Sequence, residues 1–173
     1  PYYLPGYKSG GPIRTIANMV EHLGKEFQFR IVTSDRDAGD EKPYEGIRPD
    51  TWTEVGKVKV YYSSSSGRSL RALRALITNT PHDVQYLNSF FYPDYTIKPL
   101  LLRKLSLVPD RPVVLAPRGE FSKGALQLKW MKKYAYVVGA RLTGLYEGIT
   151  WQASSKYESE DIRRVMGGGV DVQ

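Results

Sequence analysis

Arg111-Pro112-Val113-Val114-Leu115-Ala116-Pro117-Arg118-Gly119-Glu120-Phe121-Ser122-Lys123 is the stretch on which the fold turns. Pro112 to Leu115 is a short apolar run of the kind found in a strand buried on both faces of a parallel sheet. It empties into Pro117-Arg118-Gly119, residues that stop a ladder and turn the chain, and a polar segment then leads into a helix. Strand, polar loop and helix in succession are the repeating unit of α/β proteins.

Outward from this stretch the same alternation is predicted along most of the chain. A helix is expected over 12–24, with Ile13, Ile16, Ala17, Val20 and Leu23 on one face, then a strand over 27–33 and a long loop over 37–52. A strand at 55–63 leads to a helix at 68–78, capped near Ser69, with Leu70, Leu73 and Ile77 facing inward. A strand at 83–88 precedes an aromatic loop and a helix over 95–106 that tolerates Pro99 in its first turns. Beyond Lys123, helices are expected over 124–133 and 134–144, a strand over 149–153, and a helix over 156–166 opened by the capping box Ser155-x-x-Glu158. Gly167-Gly168-Gly169 ends that helix, and 170–173 reads as the start of another strand. One mostly parallel sheet between layers of helices is the expected architecture, with ligands beyond the carboxyl ends of its strands.

Length and composition bound the possibilities. The 173 residues suit one globular domain over 1–173 with a single core. No apolar run approaches the roughly 18 residues a membrane span needs. With no cysteine and only His22 and His82, neither a disulfide framework nor a Cys or His metal cluster is expected. The formal charge of +7 suggests a phosphorylated or polyanionic partner, or an anionic membrane surface. Pro1 to Pro5 lacks the basic and apolar regions of a signal peptide, and the cytoplasm is the expected compartment.

A second stretch carries chemistry. In Tyr7-Lys8-Ser9-Gly10-Gly11-Pro12-Ile13-Arg14, two glycines allow positive φ and close approach to a ligand, and Pro12 suits the first turn of a helix. A helix N-terminus with unpaired amides favours an anion, and Lys8 and Arg14 add charge beside it. An ordinary loop-to-helix hinge fits the same residues. Neither G-x-x-x-x-G-K-[ST] nor G-x-G-x-x-G is present, so neither a P-loop nor a dinucleotide fingerprint is expected.

Four segments in order, Pro5-Gly6-x-x-x-Gly10-Gly11-Pro12-x-Arg14, Ile31 to Asp37, Ala116 to Phe121 and Ser154-Ser155-x-x-Glu158-x-x-Asp161-Ile162, together resemble the N-terminal domain of family 4 (group 1) retaining GT-B glycosyltransferases. The resemblance spans nearly the whole chain. It implies a Rossmann-like three-layer α/β/α domain, one half of a GT-B fold whose first strand is missing here, with the donor-binding domain absent and the chain inactive alone. It further implies transfer from a nucleotide-sugar to a glycan or lipid-linked saccharide, with no cofactor and no essential metal. Gly10 and Gly11 would approach the donor diphosphate. Arg118, standing where many relatives have His, would be an electrostatic catalytic residue, since guanidinium stays protonated; the other reading pairs it with Glu120 or Glu147. Acceptor contacts would fall at Arg14, Asn88, Ser89, Gly119, Glu120 and Lys123, and Glu158 would serve the capping box.

The remaining basic clusters have plainer readings. Arg68, Arg71 and Arg74 are expected to form a solvated helix face, whereas Lys129, Lys132 and Lys133 around Trp130 leave room for peripheral contact with an anionic membrane at its inner face. Phe90 to Tyr95 would either stack on sugars or pack under the next helix. The alternative function is a non-enzymatic basic module that binds nucleic acid or an anionic membrane surface; under the transferase reading no nucleic acid is expected.

Overall fold

The computed structural model describes residues 1–173. The protein is α/β, with six helices and two small, mostly parallel sheets. Where one core was expected, the chain divides into two compact units, Pro1–Leu73 and Arg74–Gln173, each with its own hydrophobic cluster. No helix is long and apolar enough to cross a membrane.

In the first unit, helix α1 (Gly11–Leu23) matches the expected element and buries Ile13 and Val20. Strand β1 (Arg30–Ser34) begins three residues later than expected at Phe27. The amides of Glu26 and Phe27 bond back to the Leu23 carbonyl, so the tail of α1 uses the residues that the apolar pattern assigns to a strand. Strands β2 (Trp52–Val55) and β3 (Val58–Ser63) form a hairpin through Gly56-Lys57, with Gly56 at φ 58°. The expected strand from Val55 thus has an antiparallel neighbour where a loop was expected. A glycine at positive φ in the first of two turn positions is what such a hairpin requires. The sheet order is β1-β3-β2, with β1 parallel to β3. Tyr3, Val20, Val58, Val60 and Tyr62 form its core. Helix α2 (Leu70–Asn79) follows, its first turn held by Ser69 Oγ, which accepts from the Ala72 amide at 3.2 Å. Leu73 is buried, but Leu70 is exposed, contrary to the expected inward stripe.

In the second unit, strands β4 (Gln85–Asn88), β5 (Val113–Ala116) and β6 (Thr150–Trp151) lie parallel in that order. The terminal segment adds a bridge between Trp151 and Val172, so a further strand starts there as expected. After β4, a π-type turn over Pro93–Ile97 leads into helix α3 (Lys98–Lys104) with Pro99 at its second residue. Helix α4 (Lys123–Gln127) is shorter than expected, and α5 (Trp130–Leu142) starts four residues before Tyr134. Leu128 is extended and Lys129 left-handed at φ 57°, which breaks the helix there; Lys133 Nζ donates to the Ala125 carbonyl of α4 at 2.6 Å. Helix α6 (Lys156–Met166) has Ser155 as its N-cap and Gly167, at φ 112°, beyond its end.

Phe90 decides the second core. It is fully buried, stacked on Tyr146 at 4.5 Å and edge-on to Phe121 at 4.6 Å and Phe91 at 4.7 Å. Offset and edge-to-face pairs add about 1 kcal/mol each beyond area burial. The packing reading of this aromatic therefore holds, and its ring is not presented to solvent.

Candidate functional site

The carboxyl ends of β4, β5 and β6 bring three loops together, and two glutamates hold them. The ladder runs on past the strands, with the Ser89 amide donating to the Ala116 carbonyl and the Gln152 amide to that of Leu115, both at 2.9 Å. Glu120, in the β5 loop, accepts from Ser89 Oγ at 2.7 Å, from the Phe90 amide, and from the Phe91 amide at 3.3 Å. It ties the β5 loop to the β4 loop. Glu158, in α6, accepts from the Gly119 amide at 2.6 Å, the Ser154 amide at 2.8 Å and Ser154 Oγ at 2.5 Å. It ties the β5 loop to the β6 loop.

The capping box is therefore only half formed. Ser155 Oγ accepts from the Glu158 amide at 3.2 Å, but the Glu158 carboxylate reaches across to Gly119. Burial would raise the Glu158 pKa; the hydrogen bonds from Ser154 and Gly119 and the nearby Arg118 charge outweigh it and hold the carboxyl below its ordinary value. An ionised carboxylate with its lone pairs spent on loop donors is an architectural acceptor. Glu120 is used the same way, which accounts for it and for Ser89 without a ligand.

Between these staples the backbone is strained. Ser89 has φ 106° and Arg118 φ 58°, both positive in residues that carry a Cβ, and Gly119 follows at φ 76°. Such conformations cost about 1–3 kcal/mol each and persist where surrounding bonds over-determine them. Here they turn Arg118 back over the strand ends. Its Nε donates to Asn88 Oδ1 at 2.6 Å and its Nη2 to the Tyr86 hydroxyl at 2.8 Å, while Tyr86 donates to Gln152 Oε1. Arg118 pairs with neither Glu120 nor Glu147; Glu147 faces Lys104 instead, at 3.9 Å. Burial raises the Tyr86 pKa despite the opposing Arg118 charge, so its hydroxyl stays protonated. Arg118 Nη1 makes no hydrogen bond within the chain. The arrangement is a fixed, half-buried cation with donors to spare.

The glycine turn lies in the first unit and is built differently. Asp37, just beyond β1, accepts from the Tyr7 amide at 2.8 Å, the Lys8 amide at 3.1 Å and the Ala38 amide at 2.8 Å. Burial works against its charge, yet these amides and Lys8 hold its pKa below the ordinary value. Gly6 is there because nothing larger fits: a Cβ would lie 2.4 Å from Tyr44 Oη and 2.9 Å from the Tyr3 carbonyl. Gly10 has φ 52°, while Cβ atoms on Gly10 or Gly11 would meet open space. No side chain caps α1 and no acid lies in its first turn. Lys8, expected to add free charge, is paired with Asp40. Arg14 is exposed on α1, and Lys123 is exposed at the start of α4.

Comparison with protein-family models, with curated proteins and with solved structures finds no match to this chain.

Arg68 and Glu158 take roles other than those expected of them, and Asp37 takes one that its sequence neighbours do not announce. Arg68 is not part of a solvated face: its guanidinium donates to Ser34 Oγ at 3.0 Å and Ser65 Oγ at 3.2 Å, beside the carboxyl end of β1. Asp37 and Glu158 organise their loops, although the sequence offers the first only as the start of a long loop and the second as a local cap. A carboxylate directly after a strand, and one four residues after Ser154, are the available signals. Neither names its distant amide.

Proposed function

We propose that this chain is the acceptor-side domain of a retaining glycosyltransferase, Rossmann-like and three-layered as one half of a GT-B fold, acting with a nucleotide-sugar donor and a glycan or lipid-linked acceptor. The observation that carries the reading is Arg118, held by Asn88 and Tyr86 at the ends of parallel strands with Nη1 unspent. Departure of a nucleoside diphosphate from a sugar builds negative charge on phosphate oxygen. A guanidinium that is already oriented stabilises that charge without reorganising, and it cannot take a proton as a base. Asn88 and Tyr86 are positioning residues in this scheme.

At the other region, uncapped backbone amides at the start of α1 and the side-chain-free surface of Gly10 and Gly11 suit the approach of a diphosphate. Glu120 and Glu158 hold loops and take no part in proton transfer. Reaction through the remainder of the enzyme, which brings the donor, belongs to the same proposal.

The test is sugar transfer by the full-length gene product with a panel of nucleotide-sugars. Arg118→Gln is expected to lower kcat by about a hundredfold or more at unchanged melting temperature, the scale for loss of one charge-stabilising donor. Gly11→Val, which puts a side chain where none now faces the ligand, should weaken use of the donor in protein that circular dichroism shows to be folded. A folded full-length protein that neither binds nor turns over any nucleotide-sugar would overturn the reading.

A further inference from the structure

Helix α5 is apolar on two sides. One side, with Tyr136, Val137 and Ala140, joins the core of the second unit. On the other, Trp130, Met131, Tyr134, Val138 and Leu142 are exposed, Trp130 at 61% and Leu142 at 83%. At 100° per residue these five fall within an arc of about 120°. Leu128, 71% exposed, lies just before the helix. Large side chains gathered on one face in this way mark a contact surface, whereas scattered ones do not.

The charges carried by α4, α5 and the residues between them have one sign. From Phe121 to Tyr146 the sequence contains no Asp or Glu, but it holds Lys123, Lys129, Lys132, Lys133 and Arg141. Lys133 is engaged with Ala125 and lies over the Phe91 ring, and Arg141 donates to the Val165 carbonyl. Lys123, Lys129 and Lys132 are exposed and make no ion pair.

We propose that the exposed face of α5, with Leu128, Lys129 and Lys132, docks on an anionic lipid bilayer, the helix lying in the plane of the interface. Aliphatic side chains enter the boundary of the acyl region, Trp130 and Tyr134 take the headgroup level that amphipathic rings prefer, and the lysines meet the lipid phosphates. A second copy of this chain is the poorer match, because a symmetric contact sets lysines against lysines with no carboxylate between them. Nucleic acid would use the lysines but leave Leu128, Met131, Val138 and Leu142 without a role. The proposal stands apart from the transferase reading.

Flotation of the full chain with vesicles of phosphatidylcholine, alone or mixed with phosphatidylglycerol, tests it. Binding is expected to the mixed vesicles and not to phosphatidylcholine alone. Trp130 emission should shift to the blue and be quenched by brominated lipid, and Trp130→Phe should bind while losing that signal. Lys129→Gln with Lys132→Gln should weaken binding by roughly 25-fold, at about fivefold for each lysine near the surface. Met131→Ser with Leu142→Ser should abolish binding at unchanged melting temperature, because both side chains are exposed. Equal binding to both vesicles, no Trp130 shift, or full binding by the folded variants would overturn the proposal. So would a dimer or a nucleic-acid complex formed through this face without vesicle binding.

Discussion

The glycine turn of the first unit and the Pro117 to Lys123 loop of the second are both held by buried carboxylates that accept backbone amides, but they differ in what is left over. Asp37 gathers the amides of Tyr7, Lys8 and Ala38 but none from α1, so the start of α1 remains uncapped and open beside Gly10 and Gly11. In the second unit Glu120 and Glu158 use the amides of Phe90, Phe91, Gly119 and Ser154, and Ser155 caps α6. There the two carboxylates engage amides from all three loops, and the group left with a donor to spare is a side chain, Arg118. A region whose amides are spent is scaffold, and chemistry must come from what it positions; a region whose amides are unspent can use the backbone itself.

The contrast is broken most severely at Glu158. Glu158→Ala removes the acceptor of a buried cluster and strands the Gly119 and Ser154 amides, for an expected loss of about 3 kcal/mol in chemical denaturation. Its local sign would be faster amide exchange at Gly119. Asp37→Ala strands the amides of Tyr7, Lys8 and Ala38 and should cost about 2 kcal/mol, with exchange increasing at Tyr7 and Lys8 instead. If either substitution loosens the other unit's loop equally, the two regions are not independent.

Acid sharpens the same comparison. Both carboxyls have folded pKa values below their ordinary ones, 4.5 for Glu158 and 3.8 for Asp37, so each contributes stability that is complete above those values. That stability is lost as the pH falls through the depressed values. Circular dichroism followed downward in pH should show the loss setting in as the pH falls past 4.5 and continuing below the ordinary carboxylate range, with a shallower acid limb in Glu158→Gln. Stability rising on acidification there would contradict the assigned bonds.

The smallest effects separate the two glycines. Gly10→Ala forces a Cβ into φ 52° and should cost about 1 kcal/mol. Gly11→Ala has no positive φ to oppose it, but its Cβ presses on the Pro12 ring, which disfavours helical backbone in the residue before it, and it should cost about 0.5 kcal/mol. Thermal melting resolves the difference. Equal losses at both would mean that the turn is constrained by something other than φ.

Much of the second unit was legible in the residues. β5, the Ser155 cap, the Gly167 stop and the strand-loop-helix order depend on neighbours a few positions apart, and local preferences decide them. The first unit was read less well. β2 lacked a strong alternating pattern and forms because β3 supplies a hydrogen-bonding edge, while the tail of α1 consumed the start of the expected strand. Arg118, through the resemblance, and the two glycines, from residue type and position, are candidates that the sequence alone can nominate, but their geometry is not legible there.

The sequence by itself determined the α/β class, the order of most elements and the excess of positive charge, because periodicity, caps and composition act within a few residues. Only the tertiary structure decided that Glu158 binds an amide 39 residues away, that Arg118 is held by Asn88 and Tyr86, and that α5 turns an apolar face outward. A carboxylate takes whichever unsatisfied donor the packed backbone brings to it. Hydrophobic periodicity marks a helix's apolar faces without saying which of them the core will cover.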